Sequence, residues 1–294
     1  MGFMRTNSGI SNSHLFSGVD IVVYTEGGSV GYSLEDVESG KFNKQSVDIK
    51  FWSGLFKAAN FNKKVVFKAL GSKTSSKSIR DKIISGEVSN VAIALDRDMD
   101  FILANPEISP FVLYTKGYSW ENDVYTEQNT LDQIDSMLME QIIPDEILGE
   151  VSNAYQDFNK LGHRLIQLEV IYRSNNHSFI TKINGQRFFN SRLSPKINRE
   201  QVVRFISEKK NSVENRPLIC NVNYKNVCPK MNVYGKLLAC LSINVISYVC
   251  KKYTSHRALP NPLLESNMME RYIQMQKYSC DAYYKEIIDA LDAA

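Results

Sequence analysis

The sequence predicts an α/β fold: a Toprim-like arrangement of a parallel sheet flanked by helices, followed by a mainly α-helical region. Three observations carry this expectation. Up to Trp120, short apolar runs alternate with polar, helix-compatible segments, the order that builds a parallel sheet. Four of those runs are apolar at successive rather than alternate positions, as strands covered on both faces require. Beyond Trp120 helical spacing takes over, and residues 121–150 hold nine acidic residues and no Lys or Arg.

Taken in order, residues 1–18 are rich in Ser, Asn and Gly and read as a loose N-terminal arm. Val19–Tyr24 reads as a strand ending at Thr25-Glu26-Gly27-Gly28, a turn signal. Residues 29–39 suit a short helix. Val47–Trp52 alternates and reads as a second strand. Lys64–Leu70 is a third strand, running through Gly71-Ser72-Lys73 into a polar helix over 75–85. Val91–Leu95 is a continuous apolar strand that ends in Asp96-Arg97-Asp98-Met99-Asp100, and 110–115 is a fifth strand. Helical spacing then dominates 131–172, a short hairpin fits 179–189 around Asn184-Gly185, and 197–210, 235–253 and 265–291 read as helices. The domain expectation is an arm (1–18), an α/β domain (19–125) and a mainly helical region (126–294) serving dimerisation or partner docking.

The 294 residues carry 35 basic and 32 acidic side chains, a net charge of +3. That excludes a uniformly cationic binder but no partner recognised by a local charge patch. Five cysteines without C-x2-C spacing read as reduced thiols of a cytoplasmic protein. The first eighteen residues lack a signal-peptide core. The apolar run 237–250 is too short to span a bilayer and contains Ser242, Asn244 and Ser247, so no membrane role is expected. No P-loop and no paired-histidine metal motif is present.

The sharpest chemical feature is acidic. In extended backbone, residues two apart share a side, so Asp96 and Asp98 would present two carboxylates together at the end of a buried strand. That end is where open α/β sheets build sites. Clustered hard oxygens suit Mg2+ or Mn2+, and Asp100 continues the series as an outer carboxylate. Glu26 ends another apolar strand before two glycines that permit close backbone approach. A Glu at one strand end and an Asp-x-Asp at another suit phosphodiester hydrolysis, where metal ions activate water and stabilise the leaving oxygen. An EF-hand reading fails because Phe101 stands where that loop needs Gly. A metal-dependent nucleotide-sugar transferase with an Asp-x-Asp motif is a further alternative.

The strings VVYTEGG, GSK, VAIALDRDMD and VLYTKGYSWEND resemble the Toprim domain of OLD-type nuclease effectors from bacterial anti-phage systems, most nearly those of PARIS-type systems. The resemblance covers about residues 19–125. It implies a metal-dependent nuclease with Glu26 as general acid/base or metal-linked Glu, Asp96 and Asp98 as metal ligands, Glu121 as a further ligand, and Lys73 on phosphate. It also implies RNA, specifically tRNA, as substrate, and an ABC-type ATPase partner that holds the effector until a phage protein triggers release. The resemblance carries no ligand over to Val30, where Toprim domains often place an Asp. A catalytically inactive Toprim scaffold for the ATPase is the alternative from a different class.

Basic residues are concentrated too. Residues 57–82 hold seven Lys and one Arg against one Asp. Lys64, Lys68, Lys73, Lys77 and Arg80 are the candidate nucleic-acid contacts, a track for a phosphate backbone beside the acidic site. Residues 181–210 hold eight Lys and Arg against two Glu, with Phe188 and Phe189 among them. Arg with aromatics suits single-stranded RNA if those rings are exposed. Core packing suits them if they are buried.

Overall fold

The computed structural model describes residues 7–138, 140–181, 185–213, 218, 227–254 and 259–294. In chain order the elements begin with α1 (Asn7–Ser11), α2 (Ser13–Ser17), β1 (Ile21–Thr25), α3 (Leu34–Glu38), α4 (Val47–Ala58), β2 (Val65–Ala69), α5 (Lys73–Ile84), β3 (Val91–Leu95), α6 (Asp100–Leu103) and β4 (Val112–Tyr114). Then follow α7 (Trp120–Val124), α8 (Glu127–Leu138), α9 (Asp145–Ser174), α10 (Arg199–Ser212), α11 (Pro229–Asn232), α12 (Gly235–Tyr253), α13 (Asn261–Tyr278) and α14 (Ala282–Ala293). No helix among the described residues is long and apolar enough to cross a membrane.

The chain forms two compact units. The first takes residues 1–97, 106–116 and 273–294, and the second takes 98–105 and 117–272.

The first unit holds a four-stranded parallel sheet in the order β2-β1-β3-β4. Every residue of β1 and β3 is buried, which explains their unbroken apolar character. From β1 the chain moves through α4 to β2 on one side, and from β2 it returns through α5 to β3 on the other. Right-handed crossovers in opposite directions place α4 and α5 on opposite faces. A T-shaped aromatic cluster of Phe51, Trp52 and Tyr284 ties α4 to α14.

Several expectations change here. Residues 47–52 are the start of a helix, not a strand. Ser46 caps α4 by accepting from the Ile49 N–H at 3.0 Å. Its buried positions are Phe51, Trp52, Leu55 and Phe56, a spacing of three to four that a six-residue window hides. The sheet therefore has four strands, the last confined to 112–114. The arm contains α1 and α2, and Ile10 and Ser13 are buried; residues 1–6 lie outside the described structure. The expected helix over 265–291 is broken at Ser279-Cys280, and Asp281 starts α14 by accepting from the Tyr283 N–H at 2.9 Å. Of the expected hairpin, 182–184 lie outside the described residues, and Gly185 and Gln186 are helical.

The second unit is helical. The buried face of α12 carries Leu237, Leu241, Val245 and Val249. Buried hydroxyls link its helices: Thr130 Oγ1 lies 2.7 Å from Tyr155 Oη and 2.6 Å from Ser242 Oγ. Phe179, Phe188 and Phe205 stack in one aromatic cluster with Tyr172. Phe188 is thus a core residue, while Phe189 is half-buried.

Candidate active site at the ends of β1 and β3

β1 and β3 are neighbours, with Thr25 paired to Ala94. Glu26 and Asp96 thus leave the sheet at the carboxyl ends of adjacent strands, which lie about 4.8 Å apart. The chain order reverses here, since β1 leads outward to β2 and β3 outward to β4. A crevice at such a reversal is where open α/β sheets bind ligands.

The Glu26 side chain is mostly buried and lies 3.4 Å from Lys73 Nζ. Lys73 opens α5, which Ser72 caps by accepting from the Ser75 N–H. The positive end of that helix faces the same turn. Beside Glu26 the backbone has no spare room. A Cβ on Gly27 would stand 1.7 Å from Asp48 Oδ2, so the Asp48 carboxylate lies directly against the chain. Gly28 (φ +148°) and Gly71 (φ +65°) adopt conformations that favour glycine, and a Cβ on Gly71 would stand 2.1 Å from the Val30 carbonyl oxygen. Asn43 holds this loop. Its Nδ2 donates to the carbonyls of Val30 (2.7 Å) and Ala69 (3.2 Å), and its Oδ1 accepts from the Val30 N–H.

Asp48 and Asn43 escape the sequence reading. Asp48 was hidden by reading 47–52 as a strand, because only a helix start brings that side chain back to Gly27. A Ser-x-Asp pattern at 46–48 followed by apolar residues at helical spacing is the signal that reveals it.

The turn after β3 departs from the extended geometry expected of it. The strand ends at Leu95, and Asp98 has φ +47°. The two-residue alternation therefore stops before Asp98, a left-handed position that Asp tolerates. The Arg97 N–H donates to Thr115 Oγ1 and its guanidinium to the Lys116 carbonyl, both at 3.0 Å. The Asp98 N–H donates to the Tyr118 carbonyl at 2.7 Å. Within the second unit, Asp98 stands beside the Tyr118 hydroxyl, which accepts from Arg173 Nη2 at 3.2 Å. Arg173 in turn pairs with buried Glu169 at 2.5 Å. Burial first, then the Asp98 charge, push the Tyr118 hydroxyl far above its ordinary pKa. Asp100 is exposed at the start of α6.

Glu121 sits on α7, only 5% exposed, with Ser119, Lys236 and Glu265 as its electrostatic neighbours; burial pushes its carboxyl pKa up. The string around it forms a packed knot. Asn122 Nδ2 donates to the carbonyls of Lys230 and Val233, both at 3.0 Å. A Cβ on Gly235 would stand 2.0 Å from Ser119 Oγ.

The basic residues separate. Lys73, Lys77 and Arg80 follow one stripe of α5 at spacings of four and three. Lys68 is buried in β2, its Nζ 4.8 Å above the Phe42 ring. Lys64 precedes β2, at the opposite end of the sheet from Glu26.

Among the described residues, no three or more His, Cys, Asp or Glu side chains gather as a metal cage. Mg2+ requires less, because it keeps waters and takes one or two protein carboxylates with substrate phosphates. Glu26 and Asp96 match that donor type and number. No protein-family profile matches the chain, and no curated protein matches it.

Proposed function

We propose that the protein is a metal-dependent nuclease, the toxic effector of an anti-phage defence system, that hydrolyses phosphodiester bonds in RNA, with tRNA as the substrate class. The observation that carries this reading is the placement of Glu26 and Asp96 at adjacent strand ends, at the reversal point of a parallel sheet. Glu26 and Asp96 would hold Mg2+ or Mn2+, with Asp98 and Asp100 following in the same turn. Bound there, the ion supplies charge neutralisation at the phosphate and an activated water. Lys73, the α5 N-terminus and the stripe through Lys77 and Arg80 hold the phosphate backbone. Glu26, mostly buried and beside Lys73, would move the proton of the attacking water. Regulation by an ABC-type ATPase that holds the effector in check, activity as a homodimer and a cytoplasmic setting complete the proposal.

The test is to induce expression of wild type, Glu26→Ala and Asp96→Ala and to sequence the resulting RNA ends. Wild type is expected to give Mg2+-dependent ends and toxicity, and both variants to lose them with unchanged circular dichroism. Full cleavage by a folded double variant would overturn the reading. One observation favours a second reading: the Glu26 carboxylate is neutralised by Lys73 at 3.4 Å, as suits an inactive scaffold for the ATPase. Absence of Mg2+ and Mn2+ binding in a titration of the purified chain would support that alternative.

A further inference from the structure

A cavity of about 630 Å3 lies within the second unit. One stripe of α12 forms its long wall, through Lys236, Cys240, Asn244, Ser247 and Lys251. Their spacing of three to four keeps them on one face, opposite the apolar positions that enter the core. Fifteen residues separate the two lysines, about 22 Å of helix at 1.5 Å per residue. The cavity is therefore a groove longer than one nucleotide.

Its other walls supply complementary chemistry. Phe189 and Arg192 enter from one segment, and Glu121 and Tyr125 from α7 and the residue after it. Lys236 and Arg192 are both exposed, and Lys236 has the Glu121 carboxyl as an electrostatic neighbour. Lys251, at the far end, donates to Ser191 Oγ at 2.7 Å. The carboxylates of Glu121 and Glu265 stand within a mixed wall of cationic, aromatic, amide, hydroxyl and small apolar side chains.

We propose that this groove binds a short single-stranded RNA segment, with phosphates on Lys236, Arg192 and Lys251 and a base stacked on Phe189. Cations spaced along a groove track a phosphate backbone, and aromatic rings stack bases of any sequence. The inference rests on the nuclease reading only for the choice of RNA as the strand.

The test uses the full chain carrying Glu26→Ala, in EDTA, so that cleavage does not interfere. Fluorescence anisotropy with labelled oligo(C) and oligo(U) is expected to show that both bind, because phosphate and stacking contacts tolerate any sequence. Arg192→Glu with Lys251→Glu, both at exposed positions, is expected to weaken binding by at least about tenfold. Bound oligonucleotide is expected to protect Cys240 from iodoacetamide, read peptide by peptide in a mass spectrometer. Wild-type affinity in the charge-reversed variant, or unprotected Cys240, would overturn the inference. Displacement of the oligonucleotide by equimolar cytidine monophosphate would also overturn it, in favour of a free-nucleotide pocket. Binding that follows these expectations while wild type cleaves no RNA would sink the nuclease reading and leave the groove standing.

Discussion

Gly27, next to Glu26, has no room for a side chain. Its missing Cβ is what lets the Asp48 carboxylate rest against the backbone. Gly27→Ala is expected to destabilise the protein by about 1–3 kcal/mol, as overpacking does, and to weaken the proposed Mg2+ binding by displacing the loop that begins at Glu26. The double variant Gly27→Ala/Asp48→Ala is expected to recover most of the stability in thermal melts, because the clash is with Asp48 itself. Of the proposed site, Glu26 and Asp96 could be read from strand ends alone. Asp48 could not, since its relevance depends on a helix start two residues upstream. Nor could the neighbours of Asp98: Tyr118 and Arg173 are distant in sequence, and only folding of the second unit brings them to that turn.

Among the elements, α3 and α4 depend on caps that local chemistry defines. In α3, Ser33 and Asp36 form a reciprocal capping box, and Lys41 pairs with Asp36 at 2.8 Å. Hydrogen bonds from Lys41 and Ser33 pull the Asp36 carboxyl from its usual 3.8 down to about 2. A depressed carboxylate stabilises the fold above its unfolded pKa. This contribution is therefore complete above about pH 4 and fades as pH falls toward 2. An NMR titration of the Asp36 carboxyl is expected to show that low midpoint, and Lys41→Met to raise it. Ser46→Ala is expected to cost about 1 kcal/mol by uncapping α4, measured by urea unfolding. The elements legible from sequence were those with strong periodicity or unbroken apolar runs: β1, β2, β3 and α12. Residues 47–52 misled because two turns of an amphipathic helix start and three pleats of a strand give the same short pattern. Asp98 misled because an extended backbone was assumed past the last paired residue.

At the scale of the whole molecule, the net charge of +3 is an average over segregated blocks, with basic stretches at 57–82 and 181–210 and an acidic one at 121–150. The threading of the chain is less evident from sequence. Residues 273–294 belong to the sheet unit although the whole of 117–272 separates them from its strands. Tyr284 is fully buried there, edge-on to Phe51 and Trp52, and its hydroxyl oxygen accepts from the Lys116 N–H at 3.0 Å. Tyr284→Ala is expected to destabilise the sheet unit by about 3–5 kcal/mol, and Tyr284→Phe by about 1 kcal/mol, both read from denaturant unfolding. This threading also sets an order in time. During translation the strand ends that carry Glu26 and Asp96 emerge early, yet the ring that packs edge-on to Phe51 and Trp52 is synthesised only after the whole helical stretch. The sheet unit completes its core late, so a ribosome stalled within 117–272 displays both carboxylates on a sheet still lacking its final wedge.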